Sequence, residues 1–332
     1  MNRTDTWSRS TVKTGTKVPK GKWSPLAGIL TASVLLLGSV FPAVAAESAM
    51  DVMCAPCGIT AAEDGSFLVT DTYNKVIWKV QGRTSTLVSG GSTVEDPYGE
   101  PVGGYNDAAS GESFFKEPWA IAPFLDGYAV SDTANNVVRL VRADKTQTVN
   151  GHTTENLALG TGVRFNRPTG LAADEAGNLY IADTGNNAIR KITSTGEVTT
   201  YAAGLSEPTG LCWKNGALYA AETGAHRVVR IENGQGIILG GNGSEGMADG
   251  GALQAQFASP QGIAVSDDGV IYVSDTGNNA VRRIQAGVVS TLAVCDQKQL
   301  EPYPIAPVGL MVQGGSLYVC DQFSRKVFII SR

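Results

Sequence analysis

One pattern occurs six times along this chain, and any fold assigned to it must accommodate that repetition. The pattern opens with Pro, a variable residue and Gly or Ala, then runs through a short apolar strand to a Gly or Asp-Gly turn. A second strand follows and ends at an acid that begins another turn. The two best copies are nearly identical: Pro168-Thr169-Gly170-Leu171-Ala172 through Leu179-Tyr180-Ile181-Ala182-Asp183-Thr184-Gly185-Asn186-Asn187, and Pro260-Gln261-Gly262-Ile263-Ala264 through Ile271-Tyr272-Val273-Ser274-Asp275-Thr276-Gly277-Asn278-Asn279. Weaker copies begin at Pro56, Pro118, Pro208 and Pro307, with their acids at Asp71, Asp132, Glu222 and Asp321. In all six, 12 or 13 residues separate the Gly or Ala from the acid, a constancy that chance does not produce.

Each copy has a physical reading. Pro ends the preceding loop, and the small residues after it suit a strand that must crowd near an axis. Pairs such as Asp64-Gly65, Asp126-Gly127 and Asp268-Gly269 supply the positive φ of a hairpin. A third strand, such as Ala188 to Ile192, and a fourth, such as Val198 to Tyr201, complete the unit. Forty Gly residues and only 17% charged residues fit many short strands joined by tight turns. The expected architecture is all-β, a six-bladed β-propeller of four-stranded antiparallel blades that bury their faces only by stacking around the axis. The run Gly-Leu-Ala-Ala-Asp, with Asn-Leu-Tyr-Ile-Ala-Asp-Thr-Gly-Asn-Asn after it, resembles the NHL repeat of extracellular and bacterial six-bladed propellers, and the resemblance covers residues 56 to 332. Such repeats commonly carry His-Arg after the turn, a pair kept here only at His226-Arg227; the same repeat has Glu222 and Ala225 in place of the usual acid and Asn.

Residues 1–46 read as a targeting segment. Six basic residues from Arg3 to Lys22 precede an uncharged stretch from Trp23 to Ala46 that ends in Ala43-Val44-Ala45, a small-residue pattern suited to a signal peptidase. Cleavage is the preferred expectation; a retained signal anchor is the rival, and the only expected membrane attachment. The propeller then occupies residues 47–332, and the expected place is secreted or on the cell surface. Without the first 46 residues, 20 basic face 30 acidic residues, a net charge near −10 that argues against nucleic acid as partner. Five Cys leave at least one thiol unpaired. Cys212 and Cys320 lie where other repeats carry Ala, Ser or Thr and are expected to be buried and free; any disulfide should come from Cys54, Cys57 and Cys295.

The recurring acids suggest a ring of carboxylates that could hold Ca²⁺, but an acid before Thr-Gly-Asn is better read as an Asx-type turn whose carboxylate accepts backbone N–H bonds. The resemblance includes one propeller enzyme, the amidating lyase, for which it implies a zinc held by several His; this sequence has only His152 and His226, too few for that site. Gly243-Ser244-Glu245-Gly246 misses the nucleophile-elbow spacing, and Gly240 to Gly251 lacks the Lys-Ser/Thr of a phosphate loop. Binding is therefore favoured over catalysis, with no cofactor expected. The alternative is a propeller hydrolase or lyase with a carboxylate-held metal ion in the central channel.

Successive acids are separated by 61, 51, 39, 53 and 46 residues, so extra length falls between blades, chiefly at 89–117, 150–166, 241–259 and 294–306. Strand alternation puts these connections on the face of the Asp-Thr-Gly-Asn turns, where Tyr98, Tyr105, Tyr303 and His152 lie. Aromatic residues in loops on a rigid scaffold suit a binding surface. The candidate ligand site therefore comprises Trp119, Thr169, Thr209 and Gln261, which follow the prolines, together with Tyr98, Tyr105 and Tyr303; the expected partner is a protein, peptide or glycan. Trp119 either lines the channel mouth or packs under the 89–117 loop, and Phe114, Phe165 and Phe257 read as core plugs between blades. The sixth repeat ends after its third strand, Lys326 to Ile330, so Ser48 to Met53 is expected to supply the missing strand and close the ring.

Overall fold

Each inner strand begins at the Pro of its repeat and pairs antiparallel with a second strand, so that Pro56 lies opposite Asp71, Pro168 opposite Asp183 and Pro260 opposite Asp275. The computed structural model describes residues 53–82, 84–91, 95–149, 163–294 and 306–331. Among them, six antiparallel sheets follow one another in chain order. Blade 1 comprises Pro56–Ala61, Phe67–Asp71, Val76–Gln81 and Thr84–Gly90. Blades 2 to 6 open with the inner strands Pro118–Phe124, Pro168–Ala173, Pro208–Lys214, Pro260–Val265 and Pro307–Gln313. The fold is the six-bladed propeller read from the repeats. Blades 2 and 5 depart from four strands: the short edge strands Ala108–Ala109 and Gly250–Gly251, from the inter-blade loops, add a fifth to each.

The Pro-x-Gly motif works by close approach. A Cβ on Gly170 would stand 2.0 Å from the Thr209 carbonyl oxygen, one on Gly210 2.2 Å from that of Gln261, and one on Gly262 1.8 Å from that of Val308. The series closes on itself, because Gly309 stands against the Cys57 carbonyl at 1.9 Å and Gly58 against that of Trp119 at 2.6 Å. Inner strands packed this tightly leave no room for a side chain at the Gly position.

Neighbouring blades are also tied by a hydroxyl. The Thr after each acid donates to the carbonyl of the next blade's Pro: Thr72 to Pro118 at 3.0 Å, Thr133 to Pro168 at 2.6 Å, Thr184 to Pro208 at 2.7 Å, Thr223 to Pro260 at 2.6 Å and Thr276 to Pro307 at 2.7 Å. At the seam between blades 6 and 1, Gln322 replaces this Thr and lies beside the Cys57 thiol. Thr276→Val keeps the side-chain shape and removes the donor, so it should cost about 1 kcal/mol. A urea unfolding midpoint identical to that of the parent would contradict this.

The apolar core divides into six clusters, one at each seam. In blades 1 to 5 the third residue before the Pro plugs a seam: Met53, Phe115, Phe165, Leu205 and Phe257 are all buried. This corrects the sequence reading by one position, because Phe115 rather than Phe114 is the plug. Phe114 is half-buried, and its carbonyl accepts from Arg139. Blade 6 shows three strands among the described residues, ending with Lys326–Ser331. Residues 1–52, which carry the expected targeting segment and most of the expected closing strand, lie outside the described residues. Met53 is buried with Cys320 and Val327 of blade 6.

Candidate functional site

The acids at the ends of the second strands are all fully buried. In blades 2 to 5 they do not cap their own turns, which corrects the Asx-turn reading. Their carboxylates accept N–H bonds from the loop that precedes the blade. Asp132 takes Lys116 and Glu117 at 2.9 Å, Asp183 takes Asn166 at 2.8 Å, Glu222 takes Ser206 at 2.9 Å and Asp275 takes Ala258 at 2.7 Å. Asp71 and Asp321 make the same loop bonds and also bond within their own turns, to Asn74 and Ser324. The turn Asn adds a second donor in blades 1, 2, 3 and 5, and a third-strand Arg adds another in blades 2 to 5. Each acid thus fastens an inter-blade loop to its blade.

His226 adopts the left-handed conformation after its turn, and its Nδ1 accepts the Ser259 N–H at 3.0 Å. Asn136 and Asn187 accept the corresponding N–H of Arg167 and Glu207 through their side-chain oxygens. Asn does there what His does in blade 4, which explains why the His-Arg pair could be lost from the other repeats. His152 lies outside the described residues.

The loops before blades 2 and 5 do lie on the face of these turns, whereas 150–162 and 295–305 lie outside the described residues. Asn135 donates to the Gly104 carbonyl at 2.8 Å and Asn278 to that of Gly246 at 2.7 Å. The loops before blades 2 and 5 are built alike, around fully buried Arg139 and Arg282. Each guanidinium lies about 5 Å above a plug ring, Phe115 or Phe257, and pairs with the blade acid and with a loop acid, Asp107 or Asp249, at 2.7 Å. Those loop acids also bind the backbone N–H and hydroxyl of Thr148 and Thr291. The pairing went unread in the sequence, although Asp107 and Phe115 are spaced as are Asp249 and Phe257.

On the axis, Trp119, Thr209 and Gln261 line a cavity of about 70 Å³ with Cys57 and Val308, their counterparts in blades 1 and 6. Trp119 therefore faces the axis. Thr169 belongs to the same ring and, like Thr209, is buried, its hydroxyl paired with that of Thr184 at 2.6 Å as the Thr209 hydroxyl is with that of Thr223. Tyr105 is half exposed, bonded through its hydroxyl to Thr148, with Arg139 over its ring. Tyr98 is 89% exposed. Tyr303 lies outside the described residues.

Two aromatic residues that the sequence reading passed over join this face. The position after the turn Thr is Gly in blades 3, 4 and 5, where a Cβ would meet the preceding loop: 2.5 Å from Asn166 at Gly185, 2.7 Å from Ser206 at Gly224 and 2.7 Å from Ala258 at Gly277. Blades 1 and 6 instead carry Tyr73 and Phe323, the latter 70% exposed. The Tyr73 hydroxyl bonds Glu100, in the same loop as Tyr98. Aligning the turns of the six repeats would have singled out both.

Cys54, Cys57, Cys212 and Cys320 are free, so the described residues contain no disulfide from the expected set; Cys295 lies outside them. Cys320 is buried as expected. Cys212 is only half-buried as a residue, yet enclosure of its thiol pushes the pKa up to about 11. Burial raises Cys57 and Cys320 well above the ordinary 9.0. Because their folded values exceed the unfolded one, these thiols stabilise the fold fully below pH 9, and that contribution is lost as pH rises above it. Each should cost about 1.4 kcal/mol per pH unit in that range, and Cys57→Ser with Cys320→Ser should flatten the alkaline decline of the unfolding midpoint. An unchanged slope would count against this.

The family model described as NHL repeat matches residues 165–192 and 257–284, the two best copies on blades whose inner strands have just been described. The chain is a six-bladed β-propeller that carries NHL repeats. NHL repeat-containing protein 2 of Gallus gallus is 42% identical over 79 residues, 23% of this chain and 11% of that protein. The propeller thus spans less than a fifth of the length of the first curated relatives it matches. Among solved structures, an auxiliary nutrient binding protein from Bacteroides thetaiotaomicron superposes with a TM-score of 0.63 at 12% identity, covering 84% of this chain and 69% of that one. A virginiamycin B lyase from Staphylococcus aureus superposes with a TM-score of 0.56 at 14% identity, covering 87% and 97%. At such identities the likeness is one of fold.

Proposed function

We propose that this NHL-repeat propeller is a binding module whose loop-bearing face, around the axial cavity, takes a peptide, protein or glycan. The observation that carries the reading is the placing of Tyr73 and Phe323. At a turn position that is Gly in three blades and Ala134 in a fourth, the two blades that flank the closing seam present exposed rings. With Tyr98 and Tyr105 beside them and Trp119, Thr209 and Gln261 at the axis, they offer flat apolar area with polar edges, the composition favoured at recognition surfaces. Tyr303 and Thr169 belong to the same proposed site. The acid surplus favours a neutral or basic ligand. We further propose that residues 1–46 export the propeller to the cell surface.

The rival reading, a metal-dependent hydrolase or lyase, needs free carboxylates near the axis. The residues lining the axial cavity include no acid, and the six blade acids hold loops. Metal analysis of the purified protein with calcium supplied tests that alternative. Combining Tyr73→Ala, Tyr98→Ala and Phe323→Ala should lower capture of envelope components and of peptide and glycan arrays at least tenfold. Val288→Ser, an exposed change at a short turn on the other face, should leave capture intact. Retention by the triple variant with loss in the other would place binding on the wrong face.

A further inference from the structure

The seams repeat the same positions with different contents, and that difference exposes a second site on the short-turn face. Between blades 3 and 4 the seam is filled with rings. Tyr180 stacks on Trp213 at 5.0 Å with an interplanar angle of 8°, and Tyr201 meets Tyr180 edge-on at 4.8 Å. The Trp213 indole N–H donates to Glu175 at 2.6 Å.

Strand register identifies the counterparts between blades 1 and 2. Trp213 lies opposite Leu218 next to its hairpin as Pro123 lies opposite Tyr128. Tyr180 lies opposite Ala172 as Leu68 lies opposite Thr60, and Tyr201 and Val88 are the bulged residues of their outer strands. Three large rings are thus replaced by Leu68, Val88 and Pro123. Between Leu68 and Val88 of blade 1 and Tyr128 and Val141 of blade 2 lies a cleft of about 280 Å³, with Lys79 and Arg142 at its edge. Both cations are already paired, with Asp64 and Asp126, so the edge is electrically balanced and the interior apolar. A dry cavity of about 150 Å³ already holds benzene, so this one has room for a bicyclic ring.

The acceptor survives where the ring does not. Glu63 stands seven residues after Pro56 as Glu175 stands seven after Pro168, and it directly follows Ala62, which lines the cleft. The seam between blades 5 and 6 also opens, to about 370 Å³, but the acid at this position there, Asp267, is bound to Lys214. We propose that the cleft between blades 1 and 2 binds an indole ring, seated where Trp213 stands between blades 3 and 4, with its N–H donated to Glu63. The ring enters edge-first between Leu68 and Tyr128, and the N–H sets its orientation. This site lies among the short hairpin turns and stands or falls independently of the function proposed above.

The test is ¹⁹F NMR titration of the whole protein with 5-fluoroindole and with 5-fluorobenzothiophene, which has the same shape without the N–H donor. Indole should bind at least fivefold more tightly, and Glu63→Ala should erase that preference while leaving benzothiophene unaffected. Pro123→Trp, which rebuilds the blade 3–4 filling at an exposed position, should weaken both at least tenfold without lowering the unfolding midpoint. Val88→Tyr provides the same block from the outer strand should the first variant not fold. Competition by free indole or by N-acetyltryptophanamide, whichever is stronger, identifies a free metabolite-like ring or a tryptophan side chain as the natural source. Undiminished binding in both filled variants, or equal affinity for the two probes in the parent, overturns the proposal.

Discussion

Gly262→Ala should destabilise the propeller by roughly 3 kcal/mol or more, the upper range for overpacking a rigid site. The added Cβ would lie 1.8 Å from the Val308 carbonyl oxygen, which belongs to the backbone of the next inner strand and cannot rotate away. The cause is steric, because the Gly262 φ is not in the left-handed region. To make room, blade 6 must move outward, loosening the apolar cluster it shares with blade 5 and the Thr276 bond to Pro307. Blade 2 provides the control. It carries Ala120 at this position, so Ala120→Gly removes nothing the ring requires and should cost no more than about 1 kcal/mol. Denaturant midpoints for the two variants test the contrast, and similar losses from both would show that the glycines serve some purpose other than close approach.

Arg282→Met should cost about 3–5 kcal/mol, the range for removing one partner of a buried ion pair. The guanidinium is fully buried; it bonds Asp275 and Asp249 at 2.7 Å and the Gln256 carbonyl at 2.9 Å, above the Phe257 ring. Met fills much of the volume but leaves the Asp275 carboxylate without a cation and frees the 241–259 loop from its anchor. Burial already pushes the Asp275 pKa above the ordinary 3.8, opposed by Asn278, the Ala258 N–H and Arg282. Without Arg282 it should rise further. The folded variant then takes up a proton at a pH where the unfolded chain stays ionised, so its deficit should shrink as pH falls toward the unfolded value. Adding Asp275→Asn should recover part of the loss at neutral pH. A deficit that does not vary with pH, and no recovery in the double variant, would mean that lost packing rather than an orphaned charge is responsible.

Several features could be read from the chain because they recur. The Pro-x-Gly ring, the acid at the end of each second strand and the side on which the loops before blades 2 and 5 emerge were all legible from spacing. Errors arose where a role depends on what lies across a seam. Phe114 and Phe115 are adjacent and identical, and only their register against Pro118 makes one the plug and leaves the other at the edge. The acids were rightly read as acceptors of backbone N–H bonds, but in four blades those donors lie 15 to 17 residues back, in the preceding loop.

The candidate site divides along the same line. Trp119, Thr209 and Gln261 were placed at the axis by repeat position alone, and the structure adds Cys57 and Val308 from the same positions. Tyr73 and Phe323 were visible as letters but had no meaning until the loops over Gly185, Gly224 and Gly277 showed why small residues belong there. What the sequence determined by itself is whatever each repeat needs locally: strand alternation, tight turns and a missing side chain where inner strands crowd together. Only the tertiary structure decided which rings fill a seam, which leave it open and which loop a buried charge holds, because those partners lie tens of residues apart and meet only when neighbouring blades pack.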